Sequence, residues 1–284
     1  MARLHDKELT VVVSNALIQN RQPDNSTVST RLSYNLDVYQ QKIIAILMAH
    51  VIKGDQEFAP LTLSFKQFCN LSGISHGGKT YELIWKSLNE LARATFTVRQ
   101  SRIDERGRER HTTGIYHWID SILIHEEENV VDIKLDNSLK PFLLGLDESK
   151  KYIIYELGCM LSFRKKWSGL LYQWLKSHQG HGSIQIGVNE LKSKLMSDEN
   201  TYKTPRDFCL YVLNPAIEEI NKYTDLNVSY QKKTKKPAGG GREKVVGFIF
   251  TIRKKSKNQY LDMKSSQWGM ELLADKNDKK EESN

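Results

Sequence analysis

The sequence predicts an α+β protein of two tandem domains of the same kind, and three observations predict it. Residues Tyr202 to Thr234 hold a polar turn, a helix opening Thr204-Pro205-Arg206-Asp207, and an alternating strand, Leu226-Asn-Val-Ser-Tyr230, that ends in Gln231-Lys232-Lys233-Thr234. A second strand, Val245 to Ile252, returns after a lysine-rich turn. A helix followed by a basic two-stranded hairpin is the arrangement of a winged-helix unit, in which the helix reads duplex DNA and the hairpin is the wing. The second observation is a degenerate copy of this order about 120 residues upstream, a period too long for a solenoid. The third is that the surplus of positive over negative charge is confined to one segment.

Residues 5–22 place Leu9, Val12, Val13, Ala16 and Leu17 on a helical stripe, broken at Gln22-Pro-Asp-Asn-Ser26. A second helix is predicted from Asp37 to Ile52, with Ile43, Ile44, Ile46, Leu47 and Val51 buried, stopping at Gly54. Leu61-Thr-Leu-Ser-Phe65 alternates as a short strand, and Phe68, Cys69 and Leu71 give a helical turn or two before Gly73. The helix from Lys79 to Arg93 puts Ile84, Trp85, Leu88, Leu91 and Ala92 on one side. Strands follow at Thr95–Arg99, Ile115–Ile124 and Val130–Leu135, with the charged turn Asp104-Glu-Arg-Gly-Arg-Glu-Arg110 between the first two.

Pro141 to Lys151 is the predicted connection, so the expected domains are 1–145 and 146–256, with a polar, mobile tail at 257–284. After it the order recurs: a helix over Ser168–Ser177, a strand Ile184-Gln-Ile-Gly-Val188, a short helix Glu190–Leu195, then the Thr204 helix and its hairpin. Leu61-Thr-Leu-Ser-Phe-Lys-Gln-Phe matches Ile184-Gln-Ile-Gly-Val-Asn-Glu-Leu in polarity at nearly every position, and Thr95-Phe-Thr-Val-Arg stands where Leu226-Asn-Val-Ser-Tyr does.

The net charge of +8 divides unevenly. Residues 1–140 carry 17 Lys+Arg against 17 Asp+Glu, residues 141–256 carry 20 against 11, and residues 257–284 carry 5 against 6. A surplus held by one domain beside balanced neighbours points to a polyanionic partner. No apolar run approaches the ~20 residues of a membrane span, and the N-terminus reads as lacking a secretory signal. Cys69, Cys159 and Cys209 are widely spaced and form no C-x-x-C pair, so they read as buried apolar residues in a reducing, cytoplasmic compartment.

In the Thr204 helix, Thr204 can cap the N-terminus, Pro205 suits the first helical position, and Asp207 meets the positive end of the helix dipole. Val212, Leu213, Ala216, Ile217 and Ile220 share one arc, while Lys203, Asp207, Tyr211 and Asn214 lie opposite. Lys203 and Arg206 can neutralise phosphates, Asn214 can bond an adenine edge, Asp207 can accept from a cytosine amino group, and Tyr211 can reach a phosphate or a thymine methyl. Pro215 is expected to bend or interrupt the helix. Lys232, Lys233, Lys235, Lys236, Arg242 and Lys244 flank Pro237-Ala-Gly-Gly-Gly241, a composition suited to a wing along the DNA backbone. The first half offers a weaker set: Ser75, His76, Lys79 and Lys86 around a helix-turn-helix, and Arg102, Arg106 and Arg108 on a hairpin whose acidic residues offset them.

Gly73-Ile-Ser-His-Gly-Gly78-Lys79-Thr80 satisfies the P-loop expression, but that motif works only when a buried strand delivers the loop. Phe68-Cys-Asn-Leu-Ser72 has helical spacing instead, so the segment reads as a helix-turn-helix turn and not a nucleotide site. No pair of histidines alternates on a strand to hold a nicking enzyme's metal, and no nucleophilic triad is suggested by spacing. The expectation is a non-enzyme without cofactor or metal; a P-loop ATPase or DNA nickase is the enzymatic alternative.

Asp207-Phe208, Val212-Leu-Asn-Pro-Ala-Ile-Glu-Glu-Ile-Asn221 and Thr224-Asp-Leu-Asn-Val228 carry a resemblance, supported by Gly169-Leu-Leu-Tyr-Gln-Trp-Leu-Lys176 and more loosely by Ser14-Asn-Ala-Leu-Ile18 and Lys79-Thr-Tyr-Glu-Leu83. Over residues 8–255 the chain resembles the plasmid replication initiator (Rep) proteins of the iteron-binding, theta-replicating type, built from two winged-helix domains. The resemblance implies a second domain that binds direct-repeat iterons in the major groove as a monomer. It implies a first domain that adds a DNA contact and forms a dimer repressing the protein's own promoter, with host initiator and helicase recruited afterwards. Cys209-Leu210-Tyr211 departs from the arginine-rich run some relatives carry after the Asp-Phe pair. A winged-helix repressor without initiation activity shares every feature named.

Overall fold

Three consecutive valines make the N-terminal apolar stretch a strand before it is a helix. The computed structural model describes residues 9–19, 28–32, 36–51, 56–72, 80–144, 152–195, 201–237 and 240–266. Where one helix was expected over 5–22, β1 (Thr10–Ser14) runs first and α1 (Asn15–Gln19) follows. Thr10 to Val13 are all β-branched and stiff at χ1, and β8 (Tyr152–Glu156) offers them an antiparallel partner, with Thr10 opposite Glu156 and Ser14 opposite Tyr152. The pairing buries Val11 and Val13 completely or nearly so, which a local helical pattern cannot match.

The first half continues as β2 (Val28–Leu32), α2 (Val38–Ala49), β3 (Leu61–Ser64), α3 (Phe65–Ser72) and α4 (Thr80–Ala92). Asp37 and Gln40 close a reciprocal capping box at the start of α2. β4 (Thr95–Ile103), β5 (Glu109–His117), β6 (Ile119–His125) and β7 (Val130–Leu135) follow, the strand expected over 115–124 being divided at buried Trp118. After a 3-10 turn, part of the expected connection is a short helix, α5 (Lys140–Leu143), because Phe142 and Leu143 are buried.

The second half holds β8, α6 (Leu157–Ser162), α7 (Lys166–Ser177), β9 (Ser183–Gly187), α8 (Val188–Leu195), α9 (Pro205–Phe208), a π turn at Cys209–Leu213, α10 (Asn214–Tyr223), β10 (Leu226–Lys235) and β11 (Lys244–Lys254). Helix, strand, helix, helix, hairpin thus recurs in both halves. Strand pairing shows which hairpins correspond. In the second half β9 pairs β11, and β10 lies outside it. In the first half β3 pairs β7, and β6 lies outside it. The hairpin equivalent to β10–β11 is therefore β6–β7. The β4–β5 hairpin pairs β2 in a separate sheet, so Thr95–Arg99 follows the helix as Leu226–Tyr230 does without sharing its place in the sheet.

Buried residues of both halves form one continuous core. At the seam, Gln41 Nε2 donates to the carbonyls of Leu36 (3.0 Å) and Lys166 (2.8 Å). Gly169 permits this approach of α7, since a Cβ there would lie 2.5 Å from Gln41 Oε1. The three cysteines are buried, and burial raises the Cys159 thiol to about 11.

The 257–284 segment, expected as a mobile polar tail, begins as a helix, α11, over 257–266. Its spacing puts Tyr260, Met263 and Lys264 on one face, where Tyr260 Oη meets Cys159 Sγ at 3.4 Å and Lys264 pairs with Glu156 at 2.8 Å. Residues 267–284 lie outside the described residues.

Candidate nucleic-acid interface

The reading helix is held at its start by side chains that leave its outer face open. Thr204 is the cap: its Oγ1 accepts from the Asp207 N–H at 3.1 Å and donates to Asp207 Oδ2 at 2.7 Å, with Pro205 in the first turn. Lys192 of α8, buried, donates to the Tyr202 carbonyl and lies 5.8 Å from the Phe208 ring centroid. That contact ties the first helix of the helix-turn-helix to the turn that opens the second. Replacing Lys192 by methionine keeps the stem and leaves the Tyr202 carbonyl unpaired. It is expected to cost about 1–3 kcal/mol, read as a lower midpoint in urea unfolding.

Pro215 does interrupt the regular ladder, but without ending the helix. The Asn214 N–H bonds to the Cys209 carbonyl, five residues back, and the π turn absorbs the donor that Pro215 lacks. Phe208, Cys209, Val212, Leu213, Ala216, Ile217 and Ile220 are buried, as their arc predicts. Lys203, Arg206, Tyr211 and Asn214 are exposed. Tyr211 is 60% exposed and its ring is stacked on Tyr202, 6.1 Å between centroids. Asn214 Oδ1 accepts from Tyr230 Oη at 2.8 Å, which holds the amide and leaves its Nδ2 as the group to offer a base. Asp207 already spends one oxygen on Thr204.

On the wing, Lys232, Lys233, Lys235, Lys236, Arg242 and Lys244 are all exposed. A register shift between Lys233 and Thr234 marks a bulge, and Gly240 and Gly241 take positive φ at the tip, where side chains are strained. Lys233 Nζ donates to Gln185 Oε1 at 2.9 Å, and Thr234 Oγ1 to Glu243 Oε2 at 2.8 Å. β11 can press against β9 because position 247 is glycine; a Cβ there would meet the Ile186 carbonyl oxygen at 2.5 Å.

Among the described residues the first half gathers no comparable set. Ser75, His76 and Lys79 lie outside the described residues, as does most of the P-loop-like stretch; the α3 that precedes it is a helix and not a buried strand. Lys86 is exposed and 3.9 Å from Glu90. Arg102 stands on β4 opposite Arg110, and Arg106 and Arg108 lie near the turn. Asp104 accepts from the backbone N–H groups of Arg106 and Arg108 and pairs with the Arg108 and Arg110 side chains at 3.8 and 3.0 Å. The hairpin that corresponds to the basic wing, β6–β7, turns instead at exposed Glu126, Glu127 and Glu128. Among the described residues no cluster of three or more His, Cys, Asp or Glu side chains can hold a metal ion, and no helix is long and apolar enough to cross a membrane.

Sequence reading missed two residues here. Lys192 reads as a surface lysine, and only burial reveals its contact. Leu210 is 52% exposed although apolar; its spacing of four from both Arg206 and Asn214 was the available signal.

Two winged-helix domains, the second with an open reading helix and a basic wing, define a protein of the DNA-reading class. Comparison with known proteins narrows this. The family model "Initiator Replication protein, WH1" matches residues 11–176 and "Initiator Rep protein, WH2" matches residues 187–252. The chain belongs to the replication initiator (Rep) protein family. A replication initiation protein of Escherichia coli is 25% identical over 211 residues, covering 70% of this chain and 62% of that relative. The chain thus spans less than two thirds of that relative's length. The crystal structure of Pi initiator protein in complex with iteron DNA has the same fold, with a TM-score of 0.63 at 17% identity over 88% of this chain and 99% of that one.

Proposed function

We propose that this chain is a plasmid replication initiator that binds direct-repeat double-stranded DNA at its origin and starts theta replication without catalysing a reaction itself. The observation that carries the reading is the juxtaposition, in one domain, of an exposed Lys203–Arg206–Tyr211–Asn214 face and six exposed cations on the adjoining wing. The face is equipped to read base edges, and the wing to follow phosphates irrespective of sequence. The first domain, with its offset arginines, suits a secondary DNA contact and self-association, by which a dimer represses the protein's own promoter. Residues 1–145 and 146–256 would be the two functional units. Host initiator and helicase would join the DNA-bound protein in the cytoplasm.

The test is binding, over a salt series, to tandem repeats of about two helical turns beside the coding region, against scrambled duplexes. Preference for the repeats by at least ~10³-fold is expected for specific binding. Equal affinity for both overturns the proposal. Loss of plasmid maintenance on deletion of the gene separates initiation from repression alone.

A further inference from the structure

Resting on the reading just proposed, we infer that Leu210, with Tyr211 beside it, is a specificity determinant that reads the C5-methyl group of a thymine. Leu210 is 52% exposed and Tyr211 60%, whereas Cys209, Val212 and Leu213 on either side are buried. Leu210 is therefore not a poorly covered member of the core. It lies on the outer stripe of the reading helix, one turn after exposed Arg206 and one turn before exposed Asn214.

The chemistry of the major groove limits what such a side chain can recognise. Guanine and adenine are read by hydrogen bonds to O6, N7 and N6, and leucine has neither donor nor acceptor to offer. The apolar feature of the groove floor is the thymine methyl. Tyr211 extends the same surface: its ring is stacked on Tyr202, 6.1 Å away at an interplanar angle of 25°, so it presents a fixed apolar wall. The support beneath is rigid on both sides. Thr204 caps the helix, Lys192 holds the turn before it, and Tyr230 anchors Asn214 beyond the π turn.

The experiment is selection from a randomised duplex library by the full chain and by Leu210→Ala, followed by affinity measurement on the recovered site with thymine exchanged for deoxyuridine. The wild type is expected to recover a motif containing a thymine whose demethylation weakens binding about fourfold, the effect of one buried methyl group. Leu210→Ala is expected to recover the same motif with that position degenerate, and to bind both duplexes alike. A thymine preference that persists in Leu210→Ala, or no uracil penalty in the wild type, overturns the inference while leaving the DNA-reading proposal intact. A change in sedimentation without a change in base preference also overturns it and assigns Leu210 to self-association. Failure of the wild type to recover any motif overturns the DNA-reading proposal, and this inference with it.

Discussion

Alanine at Lys232, Lys233, Lys235 and Lys236 together is expected to flatten the salt dependence of DNA binding by about 3.6 in log Kobs against log salt, or about 0.9 for each phosphate no longer neutralised. Between 50 and 200 mM salt, a slope difference of that size shrinks the wild type's advantage about 150-fold. Discrimination between a specific site and scrambled DNA should change little, because phosphate contacts position the protein without selecting sequence. All four side chains are exposed on β10 and at its end, so their removal leaves the core of Leu226, Val228, Phe248, Phe250 and Ile252 intact. Lys233 is the member whose share is hardest to separate, since it also bonds Gln185. Titration by fluorescence anisotropy at several salt concentrations measures the slope. A slope equal to the wild type's would remove the wing from the interface.

How much of this surface was legible beforehand depends on whether local chemistry or tertiary pairing decides each element. The Thr204 cap, the Pro205 position and the buried arc from Phe208 to Ile220 follow from spacing and capping rules, and the structure has them all. The charge division located the basic wing for the same reason: net charge needs no coordinates. Pairing across the chain was not legible. β1 reads as helix until β8 is beside it, and the correspondence of β6–β7 with β10–β11 is visible only in which strand each pairs. The consequence for the site is substantial. On the β4–β5 hairpin the Arg108 and Arg110 side chains pair with Asp104, while the first half's positional wing is acidic. Side-chain contacts of buried polar groups were equally hidden, because Lys192 and Glu219 carry no sequence mark that separates them from surface residues. The α11 contacts belong to the same class, as a polar composition does not announce that Tyr260 meets Cys159.

Glu219→Ala is expected to destabilise the fold by about 3 kcal/mol, lowering the thermal midpoint by roughly 10 °C. The carboxylate sits on α10 at 8% exposure and accepts from the Arg164 N–H (3.1 Å), the Lys165 N–H (3.0 Å) and Ser168 Oγ (2.6 Å). It therefore does from another helix what a local cap would do for α7, and it puts a negative charge at the positive end of that helix. α7 carries Leu171, Tyr172, Trp174 and Leu175 into the core, so its entry angle is coupled to packing well beyond the cap. Removing the acceptor orphans three donors at once, each costing about 1–3 kcal/mol if water does not replace the carboxylate. Glu219→Gln keeps one acceptor and turns an amide N–H toward the remaining donors, so it should fall between the two. Ser168→Ala removes a single bond and should cost only about 1 kcal/mol. Circular dichroism melts of the three variants supply the order, and a Glu219→Ala midpoint within about 1 °C of the wild type would refute the capping role. Because Glu219 lies on the helix that continues the DNA-reading turns, the loss should also appear as weaker discrimination between duplexes at temperatures where the variant is still folded. Loss of stability with discrimination unchanged would show that α10 can shift against α7 without disturbing the residues before Pro215.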